Sequence, residues 1–297
     1  MALAVTGVGK AIARHPSWGV AVGALCVSAS AVLIDLSGTS PGTASFYRCL
    51  LAVPFLVVLA AGERRREGPP PRRQRVQAVL AGALFAGDML LWTQAIAEVG
   101  AGLSTVLVNL QVVFVPLLAF AVDREPITRR FLGTLPFLTV GVVLTAGIVD
   151  GGTVGAEPVW GTVHAILAAV CYSGFLFLLR RGGLGGRIRQ SYVDVTVAAA
   201  LVSLAVGAFW HGVDLTPGWA AIGWLLLVAV AGQILGWLLV ATCSPRIPSH
   251  IGAILLLLTP VGAVALGAAV LGERPGVLQL LGCALVLGSG YLATRRH

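Results

Sequence analysis

Ten apolar runs, each close to the length needed to cross a bilayer, follow one another along this chain of 297 residues. They lie at about 18–36, 42–61, 76–97, 101–121, 131–149, 158–179, 193–210, 220–241, 250–271 and 276–293. About 20 residues rising 1.5 Å each cover roughly 30 Å of hydrocarbon, so each run predicts one transmembrane helix. Backbone groups in hydrocarbon must be satisfied within their own segment, which leaves no place for an open, lipid-exposed sheet. Charged residues are 11% and hydrophobic residues 57% of the chain, against about 25% charged in an average soluble domain. The mean hydropathy of +0.92 points the same way. The expected fold class is an all-α integral membrane protein with ten transmembrane helices.

Charge placement sets the expected orientation. With the amino terminus inside, the cytoplasmic tails and loops hold 18 of the 20 Lys and Arg residues, among them Arg64 to Arg66, Arg72, Arg73, Arg75, Arg129, Arg130, Arg180 and Arg181. The outer loops hold only Arg274, and Arg48 lies inside the second span. An excess of Lys and Arg marks cytoplasmic loops, so both termini are expected in the cytoplasm and the chain in the inner (cytoplasmic) membrane. The same placement accounts for the net charge of +8 without a nucleic-acid partner. Residues 1–17, with Lys10, Arg14 and His15, look like the start of a signal peptide. Nine further apolar runs and no cleavage site make them a retained cytoplasmic tail. The five cysteines, Cys26, Cys49, Cys171, Cys243 and Cys283, show no CxxC spacing, so neither a disulfide framework nor a zinc site is indicated. No Walker motif and no metal-ligand cluster occur, and no cofactor is expected.

The chain also repeats itself. IGAILLLLTPVGAVALGAAVLGERPGVLQLLGCALVLGSGY, from Ile251, matches LSTVLVNLQVVFVPLLAFAVDREPITRRFLGTLPFLTVGV, from Leu103. Glu125 answers Glu273, and Gly133 and Gly141 answer Gly282 and Gly290. This divides the chain into a tail at 1–17, a first five-helix repeat at 18–149 and a second at 158–293, joined by the turn-forming stretch 150–158. The Arg- and Pro-rich segment 62–75 reads as a loop inside the first half. Five is odd, so the second half enters the membrane from the opposite side, placing Glu125 at the cytoplasm and Glu273 outside. Inverted repeats with a site near the midplane are the plan of many secondary transporters.

These residues resemble the drug/metabolite transporter superfamily, in the ten-helix form with two EamA domains, over nearly the whole chain. The resemblance rests on LLLLTPVGAVALGAAVLGERPGVLQLLG, with Pro260, Glu273 and Gly282, and on Arg48 in Phe46-Tyr47-Arg48 near the start of the second span. It implies a cavity lined by the third, fourth, eighth and ninth helices, with contributions from the first and sixth. The first half departs from the pattern, with Val112 at the position of Pro260 and a proline only at Pro116. A displaced break in the fourth helix is the expectation.

Candidate site residues follow from polarity at depth. Asp35, Arg48 and Asp88 are ionisable groups within spans. A charge near the bilayer centre costs about 2.5–3.5 kcal/mol, so each faces a cavity or a partner. Asp88, in FAGDMLLW, is the candidate for proton coupling or cation binding, or else a structural partner of Arg48 or of a hydroxyl on a neighbouring helix. Asp35 and Arg48 flank the first outer loop and read as an ion pair or as snorkelling side chains, while the planar fork of Arg48 suits a substrate carboxylate. Asn109, Gln111, Gln233 and Thr259 place uncharged polar groups at mid-depth. Trp92 and Trp237 occupy matching places beyond Asp88 and Gln233, where their faces suit aromatic or cationic substrates or serve packing. His164 and His250 titrate near neutral pH or pack. Glu125 and Glu273, each followed by a proline within two residues, read as caps of the next helix.

The function expected is a secondary transporter, not an enzyme, exporting a small metabolite, amino acid-like compound or drug by alternating access. Its partners are that small-molecule substrate, protons as candidate coupling ions, and the lipid bilayer, the protein being a monomer or homodimer. The alternatives are a flippase of a lipid-linked head group and a membrane-embedded enzyme. If Asp88 couples transport to protons, Asp88→Asn is expected to abolish the dependence of transport on a pH gradient; unchanged pH-dependent transport removes Asp88 from that role.

Overall fold

The computed structural model of the chain describes residues 16–124, 129–145, 157–183, 187–210, 212–243 and 255–294. The amino-terminal tail, Glu125, the inter-repeat stretch 150–156 and His250 lie outside the described residues. Helices account for the secondary structure: α1 (Pro16–Ser37), α2 (Pro41–Glu67), α3 (Arg72–Val99), α4 (Ala101–Val108), α5 (Gln111–Asp123), α6 (Arg129–Thr145), α7 (Pro158–Gly183) and α8 (Ile188–Trp210). Then α9 (Trp219–Val228) runs through a π-helical segment, Ala229–Gly236, into α10 (Trp237–Cys243). The chain ends with α11 (Leu258–Leu266), which passes into a π-helical turn, Gly267–Leu271, and α12 (Val277–Thr294). Seven of the ten resulting rods are long and apolar enough to cross a membrane, and Leu132–Thr145, Leu258–Leu271 and Val277–Ser289 are shorter apolar helices.

The basic segment expected to be a loop is mostly helix. Helix α2 continues to Glu67 with Arg64, Arg65 and Arg66 in its last turn, and α3 starts at Arg72. Cations there complement the negative end of the α2 dipole, so the arginines stabilise the extension. At the other end of α2, Pro41 takes the first helical position, where no amide is needed, and Ser40 Oγ accepts the Thr43 amide at 3.3 Å.

The fourth rod is broken at Asn109–Leu110, between α4 and α5, and not at Pro116. The offset that pairs Val112 with Pro260 pairs Asn109 with Leu257, where the ninth rod is also interrupted. The break therefore keeps its place in both halves and changes its chemistry. In the second half Pro260 stands in the first turn of α11, where a proline is tolerated. In the first half the Asn109 side chain donates to the Thr105 carbonyl at 2.9 Å, while the amides of Asn109 and Leu110 reach back three residues to Val106 and Leu107. A side-chain amide competing for a backbone carbonyl tightens and ends the helix without a proline.

Packing relates the halves. Exchanging each rod for the one five places away converts the α3–α7 contact into that of the α9–α10 rod with α1. It likewise converts α3–α8 into the π-segment–α2 contact, and α5–α7 into α11–α1. The pairs α2–α8, α6–α12 and α4–α11 map onto themselves. Exposed Trp160, Phe209 and Trp219 gather where α7 begins, α8 ends and α9 begins, with Trp18 at the start of α1. Such aromatic anchors mark membrane–water boundaries.

Of the repeated glycines, Gly141 and Gly282 meet one another between α6 and α12, whereas Gly133 faces open space. A Cβ on Gly282 would lie 2.5 Å from the Thr145 amide nitrogen and 2.7 Å from the Gly141 carbonyl oxygen, both backbone atoms that cannot rotate away. Small residues let membrane helices approach where burial alone gives no drive. Gly282→Val is expected to part α6 from α12 at a cost of about 1–3 kcal/mol, read as a lower unfolding temperature in detergent, with Gly133→Val close to neutral.

Candidate functional site

At the centre of the bundle a cavity of about 60 Å³ lies between the two halves. Its wall includes Arg48 from α2, Asp88 and Trp92 from α3, Thr105 and Asn109 at the end of α4, Gln111 from α5, Tyr172 from α7, Trp237 from α10 and Thr259 from α11. Seven of the ten residues singled out from the sequence thus share one wall: Arg48, Asp88, Trp92, Asn109, Gln111, Trp237 and Thr259. Gln233 stands immediately behind it, with Arg48 Nη2 donating to its Oε1 at 3.4 Å. The helices implied by the resemblance all contribute, the eighth through Trp237, while Gln233 of the same rod stands behind Arg48. The second rod adds the guanidinium itself.

Two of the ten lie elsewhere. His164 Nδ1 is 2.6 Å from Glu98 Oε2 at the end of the bundle where α3 stops and α7 starts. Its ring lies between Trp160 and Trp210, with centroids 6.1 and 5.8 Å away. Asp35 is exposed near the end of α1. The expected pairing of Asp35 with Arg48 is not formed: the ion pairs among the described residues are Arg75–Asp194 and His164–Glu98. Nor does Arg48 snorkel, being only 2% exposed. Its place eight residues into α2 turns it inward, where it finds partners that a sequence cannot bring together.

Those partners come from α3 and from the π-helical segment of the eighth rod. The Arg48 guanidinium carbon lies 5.8 Å from the Trp92 ring centroid, a cation–π distance. Gly232 lets the eighth rod approach α1, since a Cβ there would collide with Ser30 Oγ, while it would stand in ordinary contact with Arg48 Nη2 at 3.7 Å. Gly232 and Gln233 belong to the π-helical segment, and π-bulges of this kind disturb the regular hydrogen-bond ladder. The Gln233 carbonyl is taken by the hydroxyl of Tyr192, which donates to it at 3.2 Å. Tyr192, from α8 and 1% exposed, went unnoticed in the sequence because it sits near the start of its span and touches Gln233 only through the fold. Phe85 and Tyr172 were missed as well, since aromatic residues at mid-span read as packing. With Phe175 they surround Trp237, whose ring stands edge-on to all three at 5.7–6.1 Å.

The wall is chemically divided. Arg48 Nε, Asp88 Oδ1, Trp92 Nε1 and Gln233 Nε2 are buried with no hydrogen-bond partner among the described residues. Buried polar atoms of a native protein are nearly always paired, so the two donors and one acceptor on the wall, Arg48 Nε, Trp92 Nε1 and Asp88 Oδ1, describe what a guest there would satisfy. Gly232→Ala is expected to separate α1 from the π-helical segment and displace Arg48. Its cost is about 1–3 kcal/mol in thermal unfolding, accompanied by weaker binding of any anionic solute.

The comparisons agree with this architecture. The model of the EamA-like transporter family matches twice, at residues 17–147 and 159–295. A protein of Bacillus subtilis (strain 168) described as an uncharacterized transporter, YcbK, is 24% identical over 277 residues, covering 88% of this chain and 87% of its own. A solved crystal structure shares the fold at 17% identity, with a TM-score of 0.63 over 94% of this chain and 96% of that one. With both halves matched and membrane-crossing helices packed around one cavity, this chain is a membrane protein that belongs to the EamA-like transporter family.

Proposed function

We propose that this protein is a secondary transporter of the cytoplasmic membrane that exports a small amino acid-like metabolite by alternating access between two inverted halves. The observation that carries the reading is the pairing of Arg48 and Asp88 on one buried wall without a contact between them. Opposite charges at low dielectric attract strongly, so a solute with both an ammonium and a carboxylate completes each. The carboxylate accepts from Arg48 Nε and Trp92 Nε1, the ammonium donates to Asp88 Oδ1, and the faces of Trp92, Trp237, Phe85 and Tyr172 receive an apolar side chain.

A cavity of about 60 Å³ has space for a few water molecules and not for such a solute. Loading therefore requires the halves to part, as alternating access demands. Inversion is supported by arithmetic and by packing. Five crossings per half make equivalent rods antiparallel, and the inter-rod contacts exchange in pairs between the halves. The arginine distribution supports cytoplasmic termini, which puts Glu98, His164 and Glu273 at the outer end. Protons are the coupling ions proposed, with Asp88 the group that carries them.

Proteoliposomes loaded with phenylalanine, phenethylamine or 3-phenylpropionate, with and without a pH gradient, test this. The zwitterion is expected to move and the two singly charged analogues to lag. Arg48→Gln is expected to raise the half-saturating concentration about 10- to 100-fold, as loss of a hydrogen bond to a charged group does. Equal movement of phenethylamine, insensitive to Arg48→Gln, would make the protein a cation carrier instead.

A further inference from the structure

We infer that Glu273 is the latch of the outer gate, holding the two halves together above the cavity; this rests on the transporter reading. The sequence suggested that Glu273 caps the next helix, but the structure assigns it to another. The Ala101 amide donates to Glu273 Oε1 at 2.6 Å and the Gly102 amide to Oε2 at 3.1 Å. Those are the first two residues of α4, in the other half. The next helix in sequence, α12, is served by Gln279, whose Oε1 accepts the Gly276 amide at 2.8 Å.

The carboxylate is fitted into place from both sides. A Cβ on Gly102 would lie 3.1 Å from Oε2, and one on Gly267 would collide with it. The Glu273 amide donates to the Gly267 carbonyl at 3.2 Å, which fixes the turn that presents the side chain. Two charge-assisted hydrogen bonds to a helix start are favourable. Burial opposes them, and with help from nearby Asp35 it pushes the Glu273 carboxyl above its ordinary value against the pull of the two amides.

Its position makes it a gate. Thr105, one turn along α4, donates its hydroxyl to the Ala101 carbonyl at 2.7 Å and lines the cavity. On the opposite half, Thr259 of α11 lines the same cavity. The latch thus lies about one helical turn, roughly 5–6 Å, beyond the cavity, and joins the two rods that flank it. A comparable carboxylate, Glu63, accepts the amides of Arg189 and Gln190 at 3.4 and 2.8 Å where α8 begins. Its helices α2 and α8 also meet at their far ends, where a Cβ on Gly42 would be 3.0 Å from the Gly207 Cα. They are fastened at both ends, and no cavity opens between them if Glu63 lets go. Glu63 is the structural counterpart that a gating test needs as its control.

The test places a reporter cysteine at Val108, on the cavity wall, in a full-length chain whose five native cysteines are replaced. Its labelling by a membrane-impermeant maleimide is then timed from each face in right-side-out and inside-out vesicles. Glu273→Ala, which removes both bonds, is expected to speed labelling from the face on which Glu273 lies by about tenfold or more, tenfold being the factor that loss of a single charge-assisted hydrogen bond gives. Labelling from the other face should not rise. Gly102→Ala, which crowds both the carboxylate and the Val264 backbone of α11, is expected to act in the same direction, and Glu63→Ala to leave outer labelling unchanged. Unchanged labelling with Glu273→Ala, equal acceleration from both faces, or the same effect from Glu63→Ala would overturn the proposal. Labelling needs no solute movement, so a latch that responds in a protein moving no solute in liposomes would refute the transporter reading and spare the latch.

Discussion

A guanidinium buried among membrane helices is the constraint around which the centre of this protein is built. Arg48 is 2% exposed, and an ionised group so placed must be compensated or expelled. The compensation draws on Trp92 for its ring face and on Gln233 for an acceptor. It also needs a backbone without a side chain at Gly232, so that the eighth rod can come within reach. Bringing Gln233 there uses a π-helical segment, and the carbonyl of that segment is answered by Tyr192 from yet another helix. Removing any one of these parts leaves another buried polar group without its partner.

The same accounting governs the helix breaks. Where α4 gives way to α5, the interruption lies beside the cavity and its released carbonyl at Thr105 is taken by Asn109. Where the tenth rod is approached, Glu273 serves the first two amides of α4 from the opposite half. Irregular backbone at membrane depth is tolerated only against protein or a cavity. Both devices therefore fall between the halves, where a transporter has to change shape, while the α2–α8 and α6–α12 seams close on glycines.

Much of the site was visible as polarity out of place. Asp88, Asn109, Gln111 and Thr259 stand in apolar runs where only a cavity or a partner justifies them, and they meet on one wall. The failures have a common cause. Asp35 and Arg48 were paired because they are 13 residues apart across one turn, yet one is exposed and the other turns inward. Glu273 was assigned to the helix that follows it in sequence, and it caps one 171–172 residues away. For Arg48 and for Glu273 the expected partner is a neighbour in sequence, and the fold supplies one from a distant stretch instead.

What the sequence by itself determined is the solvent and the plan: ten apolar runs demand helices in hydrocarbon, and a string written twice makes two halves of one design. Those properties are local or additive, since hydropathy sums along each run and a repeat is visible wherever it lies. Only the tertiary structure decided which charges meet. A helix presents a residue every 100°, so a shift of one position in how two helices pack sends a side chain to lipid, to a neighbour or to the cavity. That rotation is set by close contacts such as those at Gly141, Gly232 and Gly282, which act together across the whole bundle and leave no mark on any one stretch of chain.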